Sequence, residues 1–238
     1  MVAIADAASR SLPRLTRTTV PQNFCKPTFP PLRKCGNWPT RYSDLINNAG
    51  IGSGGPHGMR QTSADGHELR FAVNYLAGFL LTDLLLPLLK KSAPARIVNV
   101  SSLGQQAIDF SDVMLTREYS GIRAYRQSKV AQILFTIDLA QQLEGSGITV
   151  NALHPATFMN TKMVRDFGTP RSTVEEGALA ILKLATSAEV EGRTGLYFNG
   201  QEEARADVQA YDPQAQQRLK RLSLELTGLS FPQTRERR

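Results

Sequence analysis

ARIVNVSS at residues 95–102 and SGIRAYRQSK at residues 120–129 decide the fold of this 238-residue chain. The first segment is an apolar, β-branched run typical of a buried strand, and it ends in two serines. The second opens a segment, 120–144, in which apolar residues recur at helical spacing until the glycines of 145–147 end it. A buried strand, a loop and an amphipathic helix form the repeating unit of a parallel α/β sheet.

Tyr125 and Lys129 stand four residues apart, so a helix places both side chains on one face. A phenol has an ordinary pKa of about 10, and a fixed cation nearby favours its phenolate. Ser102 follows the strand, where its hydroxyl could bond the oxygen of a carbonyl or alcohol. A Tyr and a Lys at this spacing also occur by chance, so the pair needs its context.

Three further segments supply that context. DLINNAG at 44–50 is an apolar strand that ends in a polar turn, and ITVNALHPAT at 148–157 is a second buried strand ending in a Pro turn. Between them, FAVNYLAGFLLTDLLL at 71–86 lies within a predicted helix over 64–91. In this order the motifs resemble the short-chain dehydrogenase/reductase family, and most closely its retinol-dehydrogenase-like branch, over residues 44–229.

The resemblance implies a fold and an activity. The fold is α/β, a Rossmann-like doubly wound parallel sheet. The activity is NAD(P)-dependent transfer of a hydride between a lipophilic alcohol and its aldehyde or ketone. The resemblance also implies catalytic roles for Asn74, Ser102, Tyr125 and Lys129. Tyr125 would exchange the proton and Ser102 would orient the oxygen. Lys129 would lower the tyrosine pKa and hold the nicotinamide ribose, while Asn74 would help to hold a proton-relaying water.

Cofactor contacts follow from the same resemblance. Asn48, Ala49 and Gly50 match the turn that packs beside the adenine-side ribose, whereas Pro155 and Thr161 match the residues at the nicotinamide. Tyr125 and Lys129 would also touch the cofactor. The choice between NAD and NADP cannot be predicted, because the residues that decide it follow a strand that has no counterpart here.

The first 42 residues fit no part of a nucleotide-binding sheet. They contain six prolines and neither a helical nor an alternating period, so we expect an irregular or disordered segment. The family's Gly-rich turn is missing, and GIGSGG at 50–55 does not open a helix that could meet phosphates. We therefore predict an N-terminally incomplete sheet without its first βαβ units, a dehydrogenase-like domain over 43–230, and a basic tail at 231–238.

The net charge of +7 belongs to the two ends of the chain. Residues 1–42 carry seven Lys or Arg against one acid, residues 218–238 carry six against two, and the residues between them carry a net −3. The pI therefore predicts no nucleic-acid partner. The three histidines have no metal-ligand spacing, so no metal is expected. Cys25 and Cys35 are predicted to be free thiols in a reducing compartment.

We expect no transmembrane segment, since Asp83 and Pro87 interrupt the apolar run from Phe79, and hence a cytoplasmic protein. An alternative of another class is a truncated, inactive family remnant that acts as a binding or dimerising partner. A homodimer would pair the helices of 64–91 and 120–144, as members of the family do. A weaker alternative treats the Arg-rich start as a transit peptide.

Overall fold

Five strands form one sheet in the part of the chain that the structure, a computed structural model, describes: residues 44–54, 58–165 and 168–229. The strands are β1 Asp44–Asn47, β2 Ala95–Val100, β3 Ile148–His154, β4 Tyr197–Asn199 and β5 Glu202–Ala204. The helices are α1 Leu69–Lys91, α2 Gly121–Gln142, α3 Lys162–Arg165, α4 Val174–Thr186 and α5 Pro213–Thr227. The predictions for residues 1–42 and 231–238, including both cysteines, lie outside the described residues.

The strands follow one another across the sheet in chain order. The first four are parallel, and β5 returns antiparallel to β4. Helices α1, α2 and α4 form the crossovers that parallel neighbours require. The predicted α/β parallel sheet is confirmed, and β1, the first described strand, lies at an edge of it. The carboxyl ends of β1, β2 and β3 therefore meet at one edge, which is where a parallel sheet places its ligand site.

The sheet has a hydrophobic layer on each face, because successive strand side chains point in opposite directions. Ile97 packs in the layer under α1 and α2, whereas its neighbour Val98 packs in the layer under α4. On the first face, Phe71, Tyr75, Phe79 and Phe135 form an aromatic cluster with ring centroids 5.1 to 6.2 Å apart. Such pairs add about 0.5–1.5 kcal/mol each beyond burial of their area.

Helix α1 begins five residues later than the sequence predicted. Residues 64–67 form a turn in which Gly66 has a φ of 83°, and the helix starts only after Glu68 accepts a hydrogen bond from Phe71 N. The segment Ala72–Leu76 is a π-helical turn with Asn74 at its centre. Single π turns of this kind are frequent at functional sites.

The other helix ends have well-defined caps. Ser120 caps α2, while Asp212, Pro213 and a left-handed Gly228 bound α5. The S-x-x-E pattern at residues 172–175 predicts a capping box, and the structure places the cap one residue later. Thr173 is the cap of α4, and its side chain accepts from Glu176 N. The pattern T-x-x-E has the same chemistry as S-x-x-E, so the sequence alone could not choose between them.

Helix α1 has the length and composition of a membrane span, with 23 residues and a mean hydropathy of 1.7. Asp83 and Pro87 lie within this helix without ending it, so they do not interrupt it as expected, and the absence of a transmembrane segment stays a prediction. One third of the apolar window is buried in the fold, and a core helix of a soluble protein has the same features. A cytoplasmic location stays a prediction.

Helix α5 covers part of the two helices predicted to form a dimer. Leu219 and Leu224 join the core shared by α1 and α2, and Ser223 Oγ lies 2.7 Å from the hydroxyl of Tyr75. Apolar side chains that stay exposed on these helices are Leu84 and Leu88 of α1 and Ile122 of α2. Any surface that α1 and α2 offer to a second copy must therefore lie outside the contact with α5.

Candidate active site

Ser102 and Tyr125 meet at the carboxyl edge of the sheet. The Ser102 hydroxyl is close enough to lower the pKa of Tyr125, and Ser102 Oγ accepts a hydrogen bond from Gly104 N at 3.0 Å. Gly104 packs on both residues, since a Cβ added there would lie 3.5 Å from Ser102 Oγ and 3.5 Å from Tyr125 Cε1. Ser101 points the other way and donates to Lys129 O at 2.7 Å. Ser102, and not Ser101, therefore faces Tyr125.

Lys129 is buried one helical turn after Tyr125. Its Nζ donates to Val100 O at 2.9 Å and to Gln132 Oε1 at 3.0 Å, and it lies 5.8 Å from the centroid of the Tyr125 ring. Burial lowers the pKa of Lys129 to about 8, because the charged form loses its hydration. The lysine is therefore close enough to Tyr125 to influence its charge, although its ammonium is bonded elsewhere.

The pKa of Tyr125 is raised above its ordinary value. Burial is the main cause, and the hydrogen bond from Ser102 opposes it. Desolvation of the phenol prevails while the ammonium is bonded to Val100 and Gln132, and the expected lowering of this pKa by Lys129 stays a prediction. Tyr125 consequently carries its proton near pH 7 and is set to donate it.

His154, at the end of β3, is a neighbour of this group. Its Nε2 lies 3.0 Å from Thr157 Oγ1. Burial, together with a smaller effect of the charge of Lys129, lowers the pKa of His154 to about 4. The ring is therefore neutral near pH 7.

Asn74 secures the loop that follows β1. Its Oδ1 accepts from Ile51 N at 2.7 Å, and its Nδ2 donates to Ile51 O at 3.1 Å and to Ser128 Oγ at 2.9 Å. A Cβ on Gly50 would lie 3.3 Å from Asn74 Oδ1 and 3.6 Å from Lys129 Nζ. The amide of Asn74 is thus engaged with the protein, and its part in a water relay stays a prediction.

The residues expected at the cofactor lie around this edge. Asn48 and Ala49 are exposed at the end of β1, and Pro155 is buried just after β3. Thr161 lies at the start of α3, where its carbonyl accepts from Val164 N at 3.1 Å. The structure brings Ser102, Tyr125, Lys129, Asn74 and Gly50 together, and it places Pro155 and Thr161 on the neighbouring segment. Their cofactor roles stay predictions.

The loop after Gly50 is not a phosphate loop. From Gly58 to Glu68 the chain forms loop and turn, and the next helix starts only at Leu69. Met163 of α3 lies against this loop instead, since a Cβ on Gly52 would come 2.8 Å from Met163 Cγ. Helix α3 therefore contacts the loop that follows β1.

Two residues that support Ser102 were missed by the sequence analysis. The hydroxyl of Tyr197 donates to Ser102 O at 3.0 Å, and Gln105 Nε2 donates to the same carbonyl at 2.8 Å. Gln105 Oε1 in turn accepts from Asp207 N at 2.7 Å. The pattern of TGLYFNG at 194–200 is typical of a short strand, but Tyr197 and Ser102 are 95 residues apart, so no local pattern could reveal their contact.

The fold and the site define an α/β protein with a serine, a tyrosine and a lysine gathered at the carboxyl edge of a parallel sheet. Residues 41–172 match the sequence profile of the family described as short chain dehydrogenase. The chain belongs to the short-chain dehydrogenase family.

Its similarity to curated proteins and solved structures agrees with this assignment. The chain is 41% identical over 214 residues to human retinol dehydrogenase 13, covering 82% of this chain and 63% of that protein. It is 40% identical over 205 residues to human retinol dehydrogenase 14, covering 79% and 60%. These relatives confirm the predicted resemblance to the retinol-dehydrogenase-like branch, and the chain spans about three fifths of their length.

The crystal structure of an uncharacterized protein from Mycobacterium Paratuberculosis is also similar. It superposes with a TM-score of 0.61 at 29% identity, covering 80% of this chain and 68% of that one.

Proposed function

We propose that the chain is an NAD(P)-dependent oxidoreductase that moves a hydride between a lipophilic alcohol and its aldehyde or ketone. The observation that carries the proposal is the pairing of Ser102 with Tyr125 beside a buried Lys129 at the carboxyl edge of the sheet. Membership of the short-chain dehydrogenase family and similarity to proteins named retinol dehydrogenases support it.

Each side chain of the site has a separate role in carbonyl reduction. The bound nicotinamide would supply the hydride. Tyr125, kept neutral by its raised pKa, donates its proton to the substrate oxygen, and the Ser102 hydroxyl bonds that oxygen. The ammonium of Lys129, 5.8 Å from the ring centroid, stabilises the phenolate that remains. Oxidation of the alcohol runs through the same groups in reverse.

The donors that are present fit the nicotinamide-ribose end of the cofactor. Two of the three N–H groups of Lys129 bond Val100 O and Gln132 Oε1, which leaves one for a ribose hydroxyl. Gly50 lets the backbone approach Lys129 closely, as the 3.6 Å from its added Cβ to Nζ shows. Asn48 and Ala49 would flank the adenosine side, whereas Pro155 and Thr161 would flank the nicotinamide. The proposal covers both NAD and NADP.

A lipophilic substrate is favoured by the exposed apolar side chains that follow β2 and β3. Leu103, next to Ser102, is 48% exposed, and Phe158, which follows β3, is 40% exposed. Water-exposed apolar side chains beside polar catalytic groups are typical of a ligand site. An alkyl or polyene chain would remove these surfaces from water.

Cofactor binding and turnover test the proposal in sequence. The purified chain is titrated with NADPH and with NADH by calorimetry, and saturable binding in the micromolar range is expected. Reduction of a lipophilic aldehyde is then compared between the parent and Tyr125→Phe, which should lose a factor of about 10² to 10⁴. Tyr211→Phe, with its phenol on the 3-10 turn Val208–Tyr211, is the matched control and should keep its rate. A folded protein that binds neither dinucleotide would refute the proposal.

A non-catalytic binding or dimerising role is the second candidate. It is favoured by the bonds of Lys129 to Val100 and Gln132 and by the raised pKa of Tyr125, because neither prepares a phenolate in advance. Sedimentation analysis distinguishes the two roles. A folded dimer without dinucleotide binding supports this candidate, and a monomer that binds NADPH or NADH excludes it.

A further inference from the structure

Arg70, near the start of α1, holds the loop that follows β1. The buried guanidinium donates from Nε to Gly52 O at 3.0 Å and from Nη2 to Ser53 O at 2.8 Å. Asn74, one helical turn later, bonds both backbone groups of Ile51. Three successive loop residues are therefore tied to one face of α1, at positions four apart.

The other side of the same guanidinium reaches a second loop. Arg70 Nη1 donates to the hydroxyl of Tyr119 at 2.6 Å and lies 3.5 Å from Glu68 Oε1. Tyr119 donates to Glu68 Oε1 at 2.9 Å, and Glu68 Oε2 accepts from Phe71 N at 2.7 Å. Tyr119 belongs to the loop 103–120 that separates Ser102 from α2. Since both oxygens of Glu68 have partners, the buried charges are satisfied within the cluster.

A second contact between the same regions is made by backbone atoms, and it includes Ser53 O, which Arg70 also bonds. A Cβ on Gly121, the first residue of α2, would lie 2.1 Å from Ser53 O and 3.3 Å from Gly58 O. Only glycine fits at this distance. The end of the loop 103–120 therefore abuts the loop 51–54 directly, and the polar cluster lies beside this contact.

We infer that Glu68, Arg70 and Tyr119 form a positioning cluster that couples the loop 51–54 to the loop 103–120. The inference rests on the proposed function in one respect, namely that the first loop borders the cofactor side and the second the substrate side of the site. A ligand that orders one loop therefore also orders the other, because Arg70 bonds both loops.

Amide hydrogen exchange of the full chain tests the coupling without any turnover. Tyr119→Phe removes one hydroxyl and leaves the ion pair of Glu68 with Arg70 in place. We expect amides in 51–54 to exchange about tenfold faster, because Arg70 loses a partner that fixes its guanidinium. Amides in 111–120 should change to a similar extent. Tyr211→Phe is the control, since its hydroxyl bonds Ala206 N and it should leave 51–54 unchanged.

Two results would overturn the inference. One is faster exchange confined to 111–120 in Tyr119→Phe, and the other is an equal change at 51–54 in Tyr211→Phe. Where the protein turns over, Tyr119→Phe should raise the KM for both cofactor and substrate several-fold and leave kcat within about twofold, a split that general destabilisation does not produce. A chain without turnover would remove the proposed function, and the exchange result would still decide the coupling.

Discussion

Burial of Lys129 predicts a protein that becomes more stable as the pH rises from 8 to 10. The pKa falls from 10.5 for a free lysine to about 8 in the fold, a difference that corresponds to about 3 kcal/mol. Between these values the unfolded chain binds more protons than the folded chain, so the free energy of unfolding increases with pH. The destabilisation caused by burying the charged lysine is fully present below pH 8 and is gone above pH 10.5.

The perturbation is Lys129→Met, which keeps an apolar chain of similar length and removes the charge. At pH 7 the variant is relieved of the destabilisation of about 3 kcal/mol that burial of the charge causes. It also leaves Val100 O and Gln132 Oε1 without their donor, which lowers the free energy of unfolding by about 1–3 kcal/mol in total. The net change at pH 7 is therefore small. The decisive difference is the slope, because the parent should gain about 2 kcal/mol between pH 8 and 10 and the variant should gain none.

Urea unfolding followed by circular dichroism at pH 7, 8, 9 and 10 measures both slopes. The series stops at pH 10, since the raised pKa values of the buried Tyr75 and Tyr125 lower stability above that point. Lys90→Met, a change at an exposed lysine, should keep the slope of the parent. Parallel profiles for the parent and Lys129→Met, or a parent that loses stability over this range, would refute the reasoning.

Three further predictions concern the titration of His154, the aromatic cluster and the cap of α4. His154 is neutral in the fold with a pKa near 4, so the stability that it contributes is present above pH 6.5 and is lost as the pH falls toward 4. In thermal unfolding, His154→Gln should therefore lose about 2 kcal/mol less stability than the parent over this range. Phe135→Ala empties a site in the aromatic cluster and should cost about 3–5 kcal/mol in urea unfolding, whereas the exposed Ile122→Ala should change it by less than about 0.5 kcal/mol. Thr173→Ala removes the cap of α4 and should cost about 1 kcal/mol in the same assay, and an unchanged midpoint would contradict the capping assignment.

Most elements could be predicted because their signals are local. The apolar runs before Asn48, Ser101 and Pro155 indicated β1, β2 and β3, and the glycines after α2 and α5 indicated where those helices end. The first residue of a helix was harder to predict. Helix α1 begins at Leu69 and not at Ala64, because the turn before it and the carboxylate of Glu68 select the first helical residue.

Some residues of the site could likewise be predicted from the sequence, whereas others could not. Ser102, Tyr125 and Lys129 were found from motif spacing, and the structure brings them together. Arg70 and Tyr197 were missed, although a charged residue four positions before Asn74 on a buried helix face was a signal for Arg70. Apart from Glu68, their partners lie 17 to 95 residues away, so only the folded chain shows what they hold.

The sequence by itself determined the class of fold, the order of β1, α1, β2, α2 and β3, and the family motifs, since periodicity and short spacings act over a few residues. Only the tertiary structure decided the direction of the Lys129 ammonium, the raised pKa of Tyr125 and the tie between the loops 51–54 and 103–120. Each of these depends on burial and on hydrogen-bond partners that distant segments supply, and no local pattern encodes them.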